Sequence, residues 1–219
     1  MKLYPVCLDI NDRPCLVIGG GTVAERKVKG LLECGGAVTV ISPQLSPALR
    51  QLHRDEKINW HPRSYRESDL RKAFLVFAAT DDHELQTRIQ AQAADNGILV
   101  NIADSPAGCS FQVPAVCRRG DLTLTVSTSG KSPAVAAMVR SRLEEEFGPE
   151  YDHLLKLVAS LRQRILARDL SPEEKKKLFQ NLLHPDIVDW IRLGQRDRLQ
   201  AHCRSVLGMD FTLDPDFPE

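Results

Sequence analysis

The sequence of 219 residues has no net charge, few aromatic residues and no long apolar run. Its 29 Lys and Arg side chains balance 29 Asp and Glu side chains, and no part of the chain is strongly basic. Sequence-independent nucleic-acid binding is therefore disfavoured, because no basic domain is present to neutralise a phosphate backbone. No stretch approaches the roughly 20 apolar residues that span a bilayer, and the start at Met1 lacks the apolar core of a signal peptide. We expect a cytoplasmic protein with no membrane or nucleic-acid partner.

The six cysteines form no CxxC pair, and the six histidines are scattered as well. In a cytosolic chain, cysteines scattered in this way usually serve as small apolar side chains and do not form a disulfide framework or a zinc site. Metal sites need clustered ligands. We therefore expect no permanently bound metal.

Short apolar runs alternate with helix-like stretches through the first half of the chain. The run 73–79 is wholly apolar, which suits a strand covered by helices on both faces. This alternation predicts an α/β fold, a Rossmann-like doubly wound parallel sheet. The predicted strands are 15–18, 37–41, 58–61, 73–79 and 98–102, and the predicted helices are 22–34, 46–55 and 83–95.

The pattern changes in the second half. Residues 111–117 and 122–128 alternate between apolar and polar, and Arg119-Gly120-Asp121 between them predicts a hairpin turn. A helix is expected from Ser132-Pro133 to about Phe147, and the remainder is helical in pattern.

A glycine motif follows the first predicted strand. Gly19, Gly21 and Ala24 fit GxGxxG/A, and the motif lies between an apolar strand and a helix, as dinucleotide binding requires. Gly19 permits a tight turn, Gly21 lets a pyrophosphate approach the backbone, and the N–H groups of the helix face the anion. The motif predicts a dinucleotide site.

The acidic residue that usually ends the second strand and binds the adenosine ribose is missing. The strand ends in Ile41-Ser42-Pro43-Gln44, and no Asp or Glu lies between Glu33 and Asp55. Ribose contacts are expected from Ser42, from the backbone at Pro43 or from the amide of Gln44. No Arg follows immediately to bind a 2′-phosphate, which favours NAD over NADP.

Two more strand ends point at the same crevice, because doubly wound sheets bind ligands beyond the carboxyl ends of their strands. Thr80, Asp81 and Asp82 follow the fourth strand, where a helix N-cap is the simpler explanation for the acids. Asp104 follows the fifth strand in a loop of small residues, with no helix predicted there for it to cap. Its carboxylate is a candidate general base or a cation ligand.

A third region combines hydroxyls, one lysine and a helix N-terminus in a few residues. It contains Ser127, Thr128, Ser129 and Lys131. The segment could bind carboxylates, or it could simply cap the start of a helix. The two interpretations are compatible.

Four segments together closely resemble the precorrin-2 dehydrogenase/sirohydrochlorin ferrochelatase family, the N-terminal module of siroheme synthase. The resemblance covers residues 1–200 in order. The segments are VIGGGTVAERK (17–27), FAATDD (77–82), NIADSPAGCSFQVPA (101–115) and VSTSGKSPAVAAMVRSRLE (126–144).

The resemblance implies three parts and an intertwined homodimer. The parts are an NAD-binding Rossmann domain (1–113), a dimerisation segment with a hairpin and a helix (114–147), and a helical domain (148–219). It implies that precorrin-2 passes a hydride to NAD⁺ and becomes sirohydrochlorin, and that bifunctional members then insert Fe²⁺. Asp104 matches the residue thought central to both steps, so Fe²⁺ is expected near it only transiently.

The resemblance also implies where the ligands bind. The dinucleotide contacts are expected at Gly21, Thr22, Val23, Pro43 and Gln44. The macrocycle carries eight carboxylates, so cations and hydrogen-bond donors are expected around it. The cations of the proposed dimer segment are Arg118, Arg119, Lys131, Arg140 and Arg142.

Alternatives remain at this point. One is a dehydrogenase that leaves metal insertion to a separate chelatase; another is an unrelated Rossmann oxidoreductase. A regulatory Rossmann domain that senses a nucleotide is a third, although such domains usually keep the acid that this second strand lacks. Many siroheme synthases continue into a methyltransferase domain, whereas this sequence ends at Glu219. Methylation is therefore expected from another protein, and residues 210–219 are expected to be frayed.

Overall fold

The computed structural model of the chain describes residues 3–208, 211–214 and 217. The chain divides after Val113 into two compact units. The separate dimerisation segment expected at residues 114–147 stays a prediction.

The first unit contains a five-stranded parallel sheet with the order β3-β2-β1-β4-β5. The Rossmann-like fold predicted from the alternating pattern is confirmed. The strands are β1 (Pro14–Ile18), β2 (Ala37–Ile41), β3 (Asn59–His61), β4 (Leu75–Ala78) and β5 (Leu99–Ile102).

Three α-helices connect these strands close to the predicted positions. They are α1 (Thr22–Glu33), α2 (Pro47–Arg54) and α3 (His83–Asp95). Two 3₁₀ helices, Glu67–Lys72 and Pro106–Gly108, were not predicted. Each spans only one or two turns, which is too short to produce a recognisable apolar period.

Both faces of the central strands β1 and β4 are buried, which explains why these two strands are apolar. Val17 packs with Val28 of α1 and Leu49 of α2 on one face. The neighbouring Ile18 points to the other face and packs with Ile89 of α3. Successive side chains of a strand alternate between faces, so a strand covered on both sides needs apolar residues at every position.

The strand order reverses at β1, which lies between β2 and β4. The chain leaves β1 through α1 toward β2 and later returns to β4 on the other side. Such a reversal opens a crevice beyond the carboxyl ends of the two strands. The segments that begin at Gly19, Ala79 and Ala103 follow the strands at this edge.

The second unit begins with an antiparallel hairpin and continues as helices. Strand β6 (Ala115–Arg119) pairs with β7 (Leu122–Val126), so the turn predicted at Gly120 is confirmed. Gly120 has φ +55°, and a Cβ there would lie 1.8 Å from Asp152 Oδ1. Helix α4 (Pro133–Glu146) packs on this hairpin.

Four more helices enclose a separate apolar core. They are α5 (Glu150–Leu166), α6 (Pro172–Leu182), α7 (Ile187–Arg192) and α8 (Arg196–Leu207). Leu161, Leu182 and Cys203 are among its fully buried side chains. None of the helices in the described part of the chain is long and apolar enough to cross a membrane.

The expectation of a frayed segment at 210–219 is wrong where the chain is described. Phe211 and Leu213 are buried in the helical core, and Phe217 packs against it. The side chain of Arg196 donates hydrogen bonds to the backbone carbonyls of Asp214 and Phe217. Apolar side chains hold this segment although its composition is acidic; residues 210, 215, 216, 218 and 219 lie outside the described residues.

Candidate functional site

The three consecutive glycines after β1 differ in the surroundings that a side chain would meet. Gly19 adopts φ +120°, and a Cβ there would lie 2.0 Å from the backbone oxygen of Ala79. At Gly20 a Cβ would lie 1.9 Å from the backbone oxygen of Gln44. At Gly21 a Cβ would meet no atom within 4 Å. Two glycines therefore allow close backbone packing, and the third leaves open space at the start of α1.

The N-terminus of α1 faces that space without a side-chain cap. Gly21 is the N-cap residue and offers no side chain to accept a hydrogen bond from the first turn. Helix α3 in the same unit differs, because Asp82 caps it by accepting from the N–H of Leu85 at 2.9 Å. Uncapped N–H groups and the helix dipole favour an anion. The donors expected to hold a pyrophosphate at Gly21, Thr22 and Val23 are therefore present, with room in front of Gly21.

The loop after β2 is built largely by its own hydrogen bonds. The hydroxyl of Ser42 donates to the backbone oxygen of Gln44 at 2.7 Å, and the indole of Trp60 donates to the Ser42 carbonyl at 2.9 Å. The N–H of Ser46 donates to the Gly20 carbonyl at 2.8 Å. Ser42 is buried, so its hydroxyl shapes the loop, whereas Pro43 and Gln44 are exposed beside the glycine turn.

The acids after β4 separate into two roles. Asp82 is the N-cap of α3, as the simpler explanation predicted. Thr80 accepts a hydrogen bond through its hydroxyl from the N–H of Asp82 at 3.3 Å. Asp81 is exposed and does not cap the helix. Thr80 and Asp81 follow the strand that neighbours β1, as the predicted ligand crevice requires.

Gln86 connects two of these strand ends and was missed by the sequence reasoning. Its side-chain amide is buried on α3, with 6% exposure, and donates to the Thr80 carbonyl at 2.6 Å and to the Ala103 carbonyl at 3.4 Å. Its oxygen lies 3.2 Å from Nδ1 of His83. A signal did exist: Gln86 occupies the same helical stripe as the buried Ile89 and Ala93, where a polar residue stands out.

Asp104 directly follows Ala103, which accepts the hydrogen bond from Gln86, and it lies in a turn with unusual geometry. Its φ of +59° is left-handed, a conformation that Asp and Asn tolerate better than most residues. The turn is fixed by its neighbours: Ala103 N–H donates to the Ala78 carbonyl at 2.9 Å, and the thiol of Cys109 donates to the Ser105 carbonyl at 3.2 Å. Asp104 itself is exposed.

The expectation that no helix follows Asp104 is wrong, because the short Pro106–Gly108 3₁₀ helix does. Asp104 nevertheless makes no side-chain hydrogen bond to it among the described residues. Its carboxylate is held at the edge of the sheet by the backbone alone, which leaves both oxygens available to a ligand.

The loop that contains Ser127, Thr128, Ser129 and Lys131 is a capped helix start in the second unit. The hydroxyl of Thr128 accepts from Ser132 N–H at 3.2 Å and donates to the Ser132 carbonyl at 3.1 Å. Ser127 Oγ accepts from Ser129 N–H at 3.2 Å. Ser132 caps α4 by accepting from Val135 N–H at 3.2 Å. The hydroxyls of Ser127 and Thr128 therefore shape the loop, and Ser127, Ser129 and Lys131 are exposed.

The arginines of the proposed dimer segment differ in their contacts. Arg119 donates to the carbonyls of Arg118 and Glu144, both at 2.8 Å, and so connects the hairpin to α4. Arg140 forms an ion pair with Glu144. Arg118 and Arg142 are exposed. Arg119 and Arg140 are thus engaged within the unit. In the described part of the chain no group of three His, Cys, Asp or Glu side chains is placed to hold a metal ion.

The family models and the similar proteins agree on one family for this chain. Residues 6–115 match a family model described as "Putative NAD(P)-binding", and residues 119–146 match one described as "Sirohaem biosynthesis protein central". The chain is similar to siroheme synthase of Thioalkalivibrio sulfidiphilus, with 36% identity over 96% of this chain and 43% of that protein. It is similar to siroheme synthase of Nitrosococcus oceani, with 34% identity over 94% of this chain and 44% of that protein.

The chain thus spans less than half the length of these relatives. Among solved structures it is similar to SirC, described as a precorrin-2 dehydrogenase, with a TM-score of 0.74 and 29% identity. That match covers 91% of this chain and 98% of the other. The NAD(P)-binding and sirohaem matches follow one another along the chain in the order of its two units. The chain belongs to the family that contains precorrin-2 dehydrogenase and the corresponding part of siroheme synthase.

Proposed function

We propose that this chain oxidises precorrin-2 to sirohydrochlorin with NAD⁺ as the hydride acceptor. The observation that carries the proposal is the pairing of two features at one sheet edge. These are the uncapped N-terminus of α1 with open space at Gly21, and the exposed carboxylate of Asp104, whose backbone is left-handed. The family supplies the substrate, since SirC is described as a precorrin-2 dehydrogenase.

The residues at this edge would act by binding and by moving one proton. The N–H groups at Gly21, Thr22 and Val23 bind the pyrophosphate, and Pro43, Gln44, Thr80 and Asp81 border the rest of the dinucleotide. When bound, NAD⁺ accepts the hydride. The oxidation removes a hydride and a proton from precorrin-2, and Asp104 accepts the proton as general base. The products are sirohydrochlorin, NADH and the proton that Asp104 later releases.

NAD is favoured over NADP as the cofactor. The loop after β2 offers neither a carboxylate for the ribose nor an arginine directly after the strand. One guanidinium does reach this loop from α2: Arg50 donates through Nε to the Leu45 carbonyl at 3.0 Å. Because of Arg50, the cofactor choice is tested by comparing NAD⁺ with NADP⁺ directly.

A second step at the same residue is Fe²⁺ insertion into sirohydrochlorin. In this step Fe²⁺ is a substrate: it enters the ring as two pyrrole N–H protons leave, and Asp104 accepts protons and contacts the ion transiently. A chelatase must release its metal, which suits a site without clustered Cys and His ligands. The alternative is a dehydrogenase-only enzyme, which leaves this step to another protein.

We also propose a homodimer formed through the hairpin and α4, with the helical part following residue 147 as a separate domain. Support comes from apolar side chains of α4 that are exposed in the single chain: Val135 is 46% exposed and Met138 is 50% exposed. Ser127, Thr128, Ser129, Lys131, Arg118 and Arg119 are proposed to contribute donors for the substrate carboxylates. We propose a cytoplasmic location for the enzyme.

One assay tests both steps. Purified protein is incubated without oxygen with precorrin-2 and either NAD⁺ or NADP⁺, and the absorbance of NADH and of sirohydrochlorin is followed; Fe²⁺ or Co²⁺ is then added. Formation of NADH and sirohydrochlorin supports the dehydrogenase, and a further spectral change with metal, faster than without protein, supports the chelatase. Nucleotide binding without oxidation would instead favour a regulatory Rossmann domain.

A further inference from the structure

One charged side chain of α1 lies where the helix pattern calls for an apolar residue. Lys27 is three residues after Ala24 and four before Leu31, and both of these are buried against the sheet. Residues at this spacing share one helix face. Lys27 is half-buried, and its Nζ lies 5.1 Å from the centre of the Phe77 ring.

The ammonium of Lys27 has no acceptor in the described residues: neither a hydrogen bond nor an ion pair is formed there. The neighbouring Lys29, in contrast, is exposed and pairs with Glu25 at 2.8 Å. Burial lowers the pKa of Lys27, Arg26 lowers it further, and Cys109 and Asp104 oppose this change. Lys27 lies over Phe77 near the carboxyl end of β4, and Phe77 pairs in register with Asn101 of β5, three residues before Asp104. No hydrogen bond or ion pair joins Lys27 to Asp104 among the described residues.

We propose that the Lys27 ammonium binds a carboxylate of the tetrapyrrole substrate beside Asp104. This inference rests on the proposed function and assigns one substrate contact to the first unit. The Phe77 ring offers this ammonium a cation–π contact but no hydrogen-bond acceptor, and a ligand carboxylate would supply that acceptor. The carboxylate is preferred to a dinucleotide phosphate because Lys27 lies over Phe77, whose pairing partner Asn101 is three residues before Asp104. The open space for pyrophosphate, in contrast, lies at Gly21, more than one helical turn earlier.

The test is Lys27→Met, which keeps the length of the side chain and removes the charge. We expect the KM for precorrin-2 to rise about tenfold or more, as for loss of one charged hydrogen bond. The Kd for NADH should stay within about twofold of the wild-type value. The Tm should not fall, because methionine keeps the apolar contacts and removes a half-buried charge, which offsets the loss of the cation–π contact with Phe77. Lys27→Arg should restore most of the affinity for precorrin-2.

Lys29→Met is the matched control, since it lies about 200° around the same helix and is exposed. It should change neither KM nor Tm appreciably. An unchanged KM in Lys27→Met would overturn the proposal. So would a loss confined to NADH affinity, which assigns Lys27 to the dinucleotide, or a lower Tm, which assigns it to the fold.

Direct titration with sirohydrochlorin separates this inference from the proposed function. If the wild type binds sirohydrochlorin but oxidises no precorrin-2, the proposed dehydrogenase fails, and weaker binding to Lys27→Met still supports the Lys27 contact. If the wild type oxidises precorrin-2 and Lys27→Met binds and turns over as the wild type does, only the Lys27 contact fails.

Discussion

Gly19 packs so closely against Ala79 that a single added carbon atom would lie 2.0 Å from the Ala79 carbonyl oxygen. This contact joins the ends of β1 and β4, the two strands between which the dinucleotide crevice opens. Backbone packing therefore leaves no room for a side chain at Gly19, whereas two residues later there is open space at Gly21.

Alanine at Gly19 should affect mainly the stability of the fold, and alanine at Gly21 should affect mainly the binding of NADH. Gly19→Ala should lower the free energy of unfolding by about 2–4 kcal/mol, because it adds strain at φ +120° and a steric clash. Gly21→Ala should change stability by less than about 1 kcal/mol, since its φ of −89° suits alanine. It should nevertheless weaken NADH binding at least about tenfold by occupying the space for the pyrophosphate. Chemical unfolding and NADH titration measure the two effects; equal effects of both variants on both quantities would contradict this assignment.

Gln86 should act as a positioning residue for both strand ends. Gln86→Leu leaves the Thr80 and Ala103 carbonyls without their side-chain donor. We expect faster amide hydrogen exchange in residues 80–82 and 103–105 and a kcat lower by about tenfold or more. Gln86→Glu should recover activity at low pH, where the protonated carboxyl donates a hydrogen bond, and lose it when ionised. Normal kcat and exchange in Gln86→Leu would show that the bridge is not needed.

The helical unit should contain an acid-sensitive ion pair between Glu150 and Arg192. Glu150 is 6% exposed and accepts from Arg192 Nε at 3.0 Å and Nη2 at 2.6 Å. Burial alone would raise the pKa of Glu150, but the Arg192 hydrogen bonds and backbone N–H groups lower it overall. A lowered folded-state pKa contributes stability above the unfolded-state value, about 4.3, and this stability is lost as the pH falls through the folded-state pKa.

Glu150→Gln should therefore lower the free energy of unfolding by about 1–2 kcal/mol at neutral pH. The difference from wild type should shrink below pH ~4. Asp189→Asn is the matched control, because the Asp189 carboxylate pairs with the same Arg192 but is 61% exposed; it should have little effect. A pH-independent difference between Glu150→Gln and wild type, measured by thermal unfolding, would rule out this origin.

The features that sequence reasoning found are those encoded locally. Apolar runs such as 73–79 predicted a strand buried on both faces, and Gly19, Gly21 and Ala24 located the turn. The caps at Asp82 and Ser132 were likewise readable, because capping depends on a residue and its next three neighbours.

The features that were missed depend on residues distant in sequence. Gln86 donates to Ala103, 17 residues away, and no period in the sequence connects them. The ribose contact expected at Ser42 stays a prediction, although its hydroxyl already donates to the carbonyl of Gln44 in its own loop. Phe211 and Leu213 were expected in a frayed segment because acidic composition outweighed two apolar residues that the helical core buries.

Asp104→Asn removes the proposed general base while keeping its backbone conformation. Asparagine tolerates the left-handed φ of +59° that this turn requires, so the variant removes the charge without adding strain as alanine would. The measurement is single-turnover formation of NADH from precorrin-2 and NAD⁺, together with the Kd for NADH. We expect a rate about 10²–10⁴-fold below wild type with unchanged affinity for NADH. Turnover by Asp104→Asn at the wild-type rate would contradict it.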